Sequence, residues 1–172
     1  HRYQTGHSID MFYLITYGAF LGCANLSGWY TQRRALSLIG IISAGIAASA
    51  DFAENLQLMQ LTQALLGNGS APDFWLLRLF VSTKFLMISV SLLCLVPLLW
   101  NRGWLGRIFC TSTLLLAPCT LLTLLGNFEF SSPMTGLIML AWICLLLWAL
   151  KVRNGLPNTS DGEPEALGTQ TS

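Results

Sequence analysis

Charged residues are scarce in this chain of 172 residues, at 10% of the sequence, whereas hydrophobic residues make up 53%. The mean hydropathy is correspondingly positive, at +0.59. A water-soluble domain of this length needs far more polar surface than so few charges provide. The shortage of charge therefore excludes an ordinary soluble protein. It predicts a protein of the lipid bilayer, for which we expect no nucleic-acid partner.

Histidine and paired cysteines are scarce as well. The two histidines, His1 and His7, lie outside every apolar run, and the five cysteines contain no C-x-x-C pair. An intramembrane zinc hydrolase, such as a ceramidase-like protein, needs several histidines with acidic partners. A membrane thiol oxidoreductase needs a closely spaced cysteine pair. We therefore expect no metal and no other cofactor, and we interpret the cysteines as small packing residues.

Long apolar runs, by contrast, are abundant. A bilayer core about 30 Å thick needs roughly 20 apolar residues for each helical crossing, and five runs of the sequence have about this length. Stretches such as LLCLVPLLW do not alternate between apolar and polar residues, which excludes a β-barrel pattern. We predict an all-α fold, a polytopic transmembrane helix bundle of five spans over residues 11–153. The predicted helices cover 11–30, 35–66, 75–100, 105–126 and 134–152.

The distribution of basic residues predicts the orientation of the bundle. Six of the nine basic residues flank three alternate junctions between spans, namely Arg33, Arg34, Arg102, Arg107, Lys151 and Arg153. Because short cytoplasmic loops are enriched in Lys and Arg, we predict that these junctions are cytoplasmic. The N-terminus, with an outer tail at residues 1–10, then lies outside and the C-terminus inside. Residues 154–172, rich in small, proline and acidic residues, are predicted to form a disordered cytoplasmic tail.

The second predicted span carries a group of polar residues within the segment AGIAASADFAENLQLMQ. Asp51, Glu54 and Asn55 fall at i, i+3 and i+4, and therefore on one face of a helix. Small residues such as Gly40 and Ala44 lie upstream and permit the close approach of a neighbouring helix. Ionisable side chains in a membrane span almost always face the bundle interior, where they pair with a partner or line a water-filled cavity. We therefore expect this polar face to point into the bundle.

The predicted partner of these carboxylates is Lys84 in the third span. The third span contains two basic residues, Lys84 and Arg78. At 1.5 Å per residue, Lys84 and Asp51 each lie about 24 Å from the cytoplasmic end of their helix. We predict a polar cluster in the outer third of the membrane that consists of Asp51, Glu54, Asn55 and Lys84. Two secondary candidates are Arg78, about two turns further out, and Gln57.

This predicted cluster permits two interpretations. In the structural interpretation, Lys84 and one carboxylate neutralise each other, and the group only locks the second and third helices together. In the functional interpretation, the second carboxylate has no basic partner, so burial favours its protonated form. It would then serve as a proton carrier, a cation site or a binding site for a polar headgroup. The excess of two acids over one base motivates this second interpretation.

The same features suggest a function without enzymatic activity. We expect an integral membrane protein that acts either as a small transport or permeation unit or as an accessory subunit of a larger complex. The fifth predicted span has no polar face, so we expect it to contact lipid, another membrane protein or a second copy of the chain. The alternative is a membrane-embedded enzyme acting on a lipid, with Ser82, Thr83 or Ser89 near Lys84 as the nucleophile.

The D-x-x-E-N segment formed by Asp51, Glu54 and Asn55 also carries a resemblance. Its position late in a second helix that is rich in small residues resembles that of a D-L-x-E-N-L segment in a group of uncharacterised bacterial multi-pass membrane proteins. The resemblance covers this segment alone. It implies a location in the bacterial inner (plasma) membrane and carries no particular activity with it.

Overall fold

The chain forms a bundle of five α-helices in a computed structural model that describes residues 2–31, 33–67 and 73–154. The helices are α1 (Arg2–Ser27), α2 (Arg34–Leu65), α3 (Phe74–Leu99), α4 (Trp104–Leu124) and α5 (Ser131–Asn154). Short 3-10 turns, Gly28–Thr31 and Phe128–Phe130, precede α2 and α5. The described ranges contain no β-strand. The predicted all-α bundle is therefore confirmed.

The observed helices differ most from the predicted bounds at both ends of α1, which ends at Ser27 rather than at residue 30, and at the start of α5. α1 begins at Arg2, so residues 2–10, predicted as an outer tail, extend the first helix, and no proline interrupts the backbone there. α5 begins at Ser131 instead of residue 134, because Pro133 is tolerated in the first turn of a helix, where its missing N–H has no partner to lose. The predicted cytoplasmic tail at 154–172 lies outside the described residues, apart from Asn154.

Among the described residues, four helical segments are long and apolar enough to cross a membrane: α2, α3, α4 and the Ser131–Val152 part of α5. The apolar part of α1, Phe12–Ser27, is shorter. Large apolar side chains such as Ile42, Leu115 and Leu146 are exposed on the outside of the bundle, an arrangement that suits lipid better than water. The fold is that of an integral membrane protein. The prediction of a fifth span rests on α1.

Local sequence signals explain where several helices begin and end. The Asp73 side chain caps α3 by accepting hydrogen bonds from the backbone N–H groups of Trp75 and Leu76, at 2.9 and 3.4 Å. Gly67 and Gly126 follow α2 and α4 with φ angles of 78° and 97°. Glycine adopts this left-handed conformation at little cost and commonly ends a helix. These signals end α2 and start α3 near each other, so the two helices can pack as antiparallel neighbours.

Small residues of α2 lie against its neighbours. α2 packs mainly on α3 and α1, while α4 packs on α3 and α5. Ala44 and Ala47 of α2 are fully buried. A Cβ atom added to Gly18 of α1 would lie 3.2 Å from the Ala48 Cβ, which shows how closely the two helices approach. Close backbone approach between small residues is a main source of helix association in lipid.

Aromatic side chains join the first and last helices. Trp142 of α5 stacks on Phe20 of α1 with ring centroids 5.2 Å apart, and it meets Tyr17 edge to face at 6.1 Å. Stacked and edge-to-face aromatic pairs add stabilisation beyond their buried area. α1 is therefore in contact with both α2 and α5. The apolar core inside the bundle includes Leu21, Leu92, Leu95, Phe109 and Leu116.

Candidate intramembrane polar site

Lys84 of α3 joins two carboxylates of α2. Its ammonium Nζ lies 2.9 Å from Asp51 Oδ1 and 2.5 Å from Glu54 Oε2. Asp51 and Glu54 share one face of α2 because residues three apart in a helix are neighbours on its surface. The structure thus brings together three of the four residues predicted for the polar cluster. We refer to Asp51, Glu54 and Lys84 as the Lys84 cluster.

The Lys84 cluster is largely shielded from its surroundings. The side chains of Lys84, Asp51 and Glu54 are only 16, 12 and 16% exposed, respectively. Charges in such a setting interact strongly, because neither water nor salt screens them well. One ammonium and two carboxylates, when all are ionised, leave one net negative charge. The cluster is therefore complementary to one further positive charge, either a proton or a cation.

Tyr17 brings a further helix, α1, beside the Lys84 cluster. The sequence did not predict this neighbour. The Tyr17 ring is buried, and its hydroxyl donates a hydrogen bond to the Ala47 carbonyl at 3.4 Å. The hydroxyl also lies close enough to the Asp51 carboxylate to interact with it. Tyr13 lies beside Tyr17, with ring centroids 5.6 Å apart. A tyrosine in an apolar run is a signal in itself, since its hydroxyl needs a partner when buried.

A cavity of about 330 Å³ reaches the cluster from between α1, α3 and α5. Asp51 and Lys84 border it, whereas Glu54 does not. The remaining lining is mostly apolar, and four of its members are aromatic: Tyr13, Tyr17, Phe85 and Trp142. The Lys84 ammonium lies 5.3 Å from the centroid of the Phe85 ring, within the range of a cation–π interaction. The cavity therefore combines aromatic walls with a charged end.

The other predicted site residues lie apart from this contact. Asn55 is half-buried beside Glu54 but is not among the groups that bind Lys84. The Gln57 Oε1 atom is buried and has no hydrogen-bond partner among the described residues. Arg78 is exposed and lines a different cavity of about 330 Å³ between α3, α4 and α5. The sequence spacing therefore grouped more residues than the tertiary structure brings into contact.

A second buried polar group, which sequence reasoning also missed, ties α1, α2 and α3 together. Asn25 Nδ2 donates hydrogen bonds to the Leu21 carbonyl and to Ser91 Oγ, both at 3.0 Å. Ser91 Oγ donates to the Gly40 carbonyl at 3.1 Å, and Ser37 Oγ donates to the Asn25 carbonyl at 2.6 Å. These groups are uncharged, so they attract less notice in a sequence than a carboxylate does. Polar side chains of this kind hold membrane helices together.

Two of the three hydroxyl groups considered as nucleophiles, those of Ser82 and Ser89, have other partners or surroundings. Ser89 Oγ donates to the Phe85 carbonyl at 2.9 Å and shares a hydrogen bond with Thr120 Oγ1 at 2.9 Å. Ser82 lines the cavity that contains Arg78. The hydrogen bonds of Lys84 Nζ go to the two carboxylates instead. In the part of the chain that the structure describes, no group of three or more His, Cys, Asp or Glu residues is arranged to hold a metal ion.

Comparison of this chain with protein-family models, with curated proteins and with solved structures finds no match.

Proposed function

We propose that this chain is a small transport or permeation unit of a bacterial inner membrane, in which the Lys84 cluster takes up and releases a proton or another cation. The observation that carries the proposal is the sharing of one ammonium group by two carboxylates inside an apolar helix bundle. Ionisable groups within membrane spans characteristically mark the pathways of ions and protons.

A purely structural ion pair needs only one carboxylate for one ammonium. Glu54, at 2.5 Å, already gives Lys84 a short charge-assisted hydrogen bond. Asp51, at 2.9 Å, adds a second negative charge that Lys84 alone does not neutralise. An uncompensated charge in apolar surroundings costs free energy, and a proton or a cation at the cluster removes that cost. An exchangeable positive charge therefore accounts for the presence of both acids.

The cavity supports exchange because it offers a route to the cluster. Its volume of about 330 Å³ exceeds that of a single water, which occupies about 30 Å³ in the liquid. Tyr17 borders the cavity and carries a hydroxyl that both donates and accepts hydrogen bonds. With the N-terminus outside and the C-terminus cytoplasmic, as the basic junctions suggest, the cluster lies nearer the outer face.

A lipid-modifying enzyme receives less support from this geometry. Such an enzyme needs a nucleophile and a base within hydrogen-bond reach of each other. Lys84 is engaged by two carboxylates, and Ser89 is engaged by Thr120. Neither residue is therefore arranged to activate the other.

Proton flux into liposomes tests the proposal. The full chain is reconstituted with a pH-sensitive dye trapped inside, and an inward proton gradient is applied with potassium and valinomycin to dissipate the membrane potential. We expect faster acidification than in empty liposomes. We expect Glu54→Gln to abolish the difference, because Asp51 then neutralises Lys84 and the cluster keeps no excess negative charge that could take up a proton. Glu129→Gln is the matched control, since Glu129 is exposed and lies outside the cluster.

Equal flux through the wild-type chain and the Glu54→Gln variant, at equal folded yield, would contradict proton transport by the cluster. That result would favour the second candidate, an accessory subunit in which the cluster only joins α2 to α3. The observation that favours this candidate is an exposed apolar stripe on α5, formed by Met139, Ile143, Leu146 and Leu150. The stripe would then contact a membrane protein partner or a second copy of the chain.

A further inference from the structure

We propose that the cavity between α1, α3 and α5 binds a hydrophobic organic cation, with its positive charge at Asp51 and its apolar groups against the aromatic walls. This inference rests on the proposed function, because it assigns the class of substrate that enters the transport unit. Asp51 is the one carboxylate of the Lys84 cluster that borders the cavity.

The two carboxylates of the Lys84 cluster differ in their contacts and in their position relative to the cavity. Glu54 makes the shorter contact with Lys84, at 2.5 Å, and it does not line the cavity. Asp51 makes the longer contact with Lys84, at 2.9 Å, and it lines the cavity. If Glu54 balances the Lys84 charge, the Asp51 carboxylate is the charge that faces the cavity. A cation beside Asp51 then brings the whole cluster to neutrality.

Aromatic side chains form much of the wall of the cavity. Tyr13, Tyr17 and Trp142 surround the cavity, and Tyr13 is 63% exposed, so its ring is available to a ligand. Trp142 is held in position by stacking on Phe20 at 5.2 Å. Aromatic faces attract cations and are the usual recognition element for organic ammonium groups. The cavity is also of a size that suits small organic ligands.

The combination distinguishes this ligand class from others. A neutral hydrophobe or an acyl chain would fill the apolar walls but leave the Asp51 charge uncompensated. A small inorganic cation would satisfy Asp51 but leave the aromatic walls unoccupied. An anion would meet net negative charge at the cluster, even though Lys84 borders the cavity. A hydrophobic cation alone satisfies the charge and the walls together.

Binding of two matched probes tests the inference. Radiolabelled tetraphenylphosphonium, a hydrophobic monovalent cation, and tetraphenylborate, an anion of nearly the same shape, are each titrated against the purified full chain in detergent. We expect saturable binding of the cation and at least about tenfold weaker binding of the anion. Equal binding of both probes would overturn the inference, because the cavity would then recognise apolar shape alone.

Substitutions of residues that line the cavity test whether the cation binds there. Asp51→Asn is expected to weaken cation binding by about tenfold or more through the loss of its charge, and Trp142→Leu by about tenfold through the loss of the aromatic face. Asp73→Asn is the matched control, since Asp73 is exposed and asparagine is an equally good helix cap. Trp142→Leu also serves as the test if Asp51→Asn does not fold. Unchanged cation binding in the folded variants would overturn the inference.

The two experiments distinguish failure of the substrate class from failure of the transport proposal. Glu54-dependent proton flux without tetraphenylphosphonium binding overturns the substrate class and leaves the transport proposal intact. Asp51-dependent binding of the cation without proton flux supports the substrate class and contradicts proton transport.

Discussion

At the Lys84 side chain, one positive charge is divided between two carboxylates that belong to another helix. Lys84 can reach both because Asp51 and Glu54 are one helical turn apart on α2 and its own stem is long and flexible. The position of the ammonium between two acids makes this residue the electrostatic link between α2 and α3. Its removal leaves two like charges in an apolar bundle with nothing to neutralise them.

Replacement of Lys84 by methionine tests this role at the residue scale. We expect Lys84→Met to destabilise the fold by about 3 kcal/mol, because breaking a buried ion pair leaves uncompensated charge. The thermal unfolding midpoint in detergent measures the effect. Adding Asp51→Asn and Glu54→Gln to Lys84→Met removes the stranded charges, so the triple variant should recover much of the lost stability. A triple variant no more stable than the single one would contradict an electrostatic origin.

At the scale of the helices, close packing depends on single glycines. A Cβ atom on Gly40 of α2 would overlap the carboxamide of Asn25 on α1. The Asn25 Oδ1 atom is buried and has no conventional hydrogen-bond partner among the described residues. Glycine at position 40 leaves the space that the Asn25 carboxamide occupies. The second polar group therefore exists only because α2 has no side chain at this point.

Alanine at Gly40 tests the packing of α1 against α2. We expect Gly40→Ala to destabilise the bundle by about 1 to 3 kcal/mol, since the Asn25 side chain must move and its hydrogen bonds to Leu21 and Ser91 weaken. Gly45→Ala is the control on the same helix, because a Cβ there meets no atom within 4 Å. The two variants are compared by thermal unfolding in detergent. Equal midpoints for both would argue against the tight contact at Gly40.

At the scale of the whole molecule, a basic residue beyond one end of α3 and an acidic residue at its other end predict how the bundle is oriented in the membrane. The turn after α3 contains Arg102, whereas the connection before α3 ends with the cap residue Asp73. The rule for cytoplasmic loops assigns the basic turn to the cytoplasm. On this assignment we expect the Lys84 cluster to lie nearer the outer face of the membrane.

Labelling with a membrane-impermeant maleimide tests the orientation. Leu66→Cys and Asn101→Cys, each introduced into a chain whose native cysteines are alanine, report on opposite ends of α3, and both positions are exposed. We expect Leu66→Cys to react in intact cells and Asn101→Cys to react only after permeabilisation. The reverse pattern would overturn the predicted topology and move the Lys84 cluster toward the cytoplasmic side.

The sequence was most informative where the physics is local. Asp51 and Glu54 could be assigned to one helix face because helical spacing is regular, and Lys84 could be matched to them by counting residues along two antiparallel helices. Asn55 met the same spacing criterion but does not bind Lys84. Spacing specifies which residues share a face, whereas contact also requires a side chain of the right length on the facing helix.

By itself, the sequence determined that the chain is a helical membrane bundle, where most helices begin and end, and that a polar group lies inside it. These properties follow from hydropathy, caps and periodicity, which act over a few neighbouring residues. Only the tertiary structure decided that Tyr17 lies beside Asp51, that Asn25 rests on Gly40, and that a cavity joins aromatic residues of three helices to one carboxylate. Those features depend on how five helices rotate and approach each other, which many weak packing contacts set together.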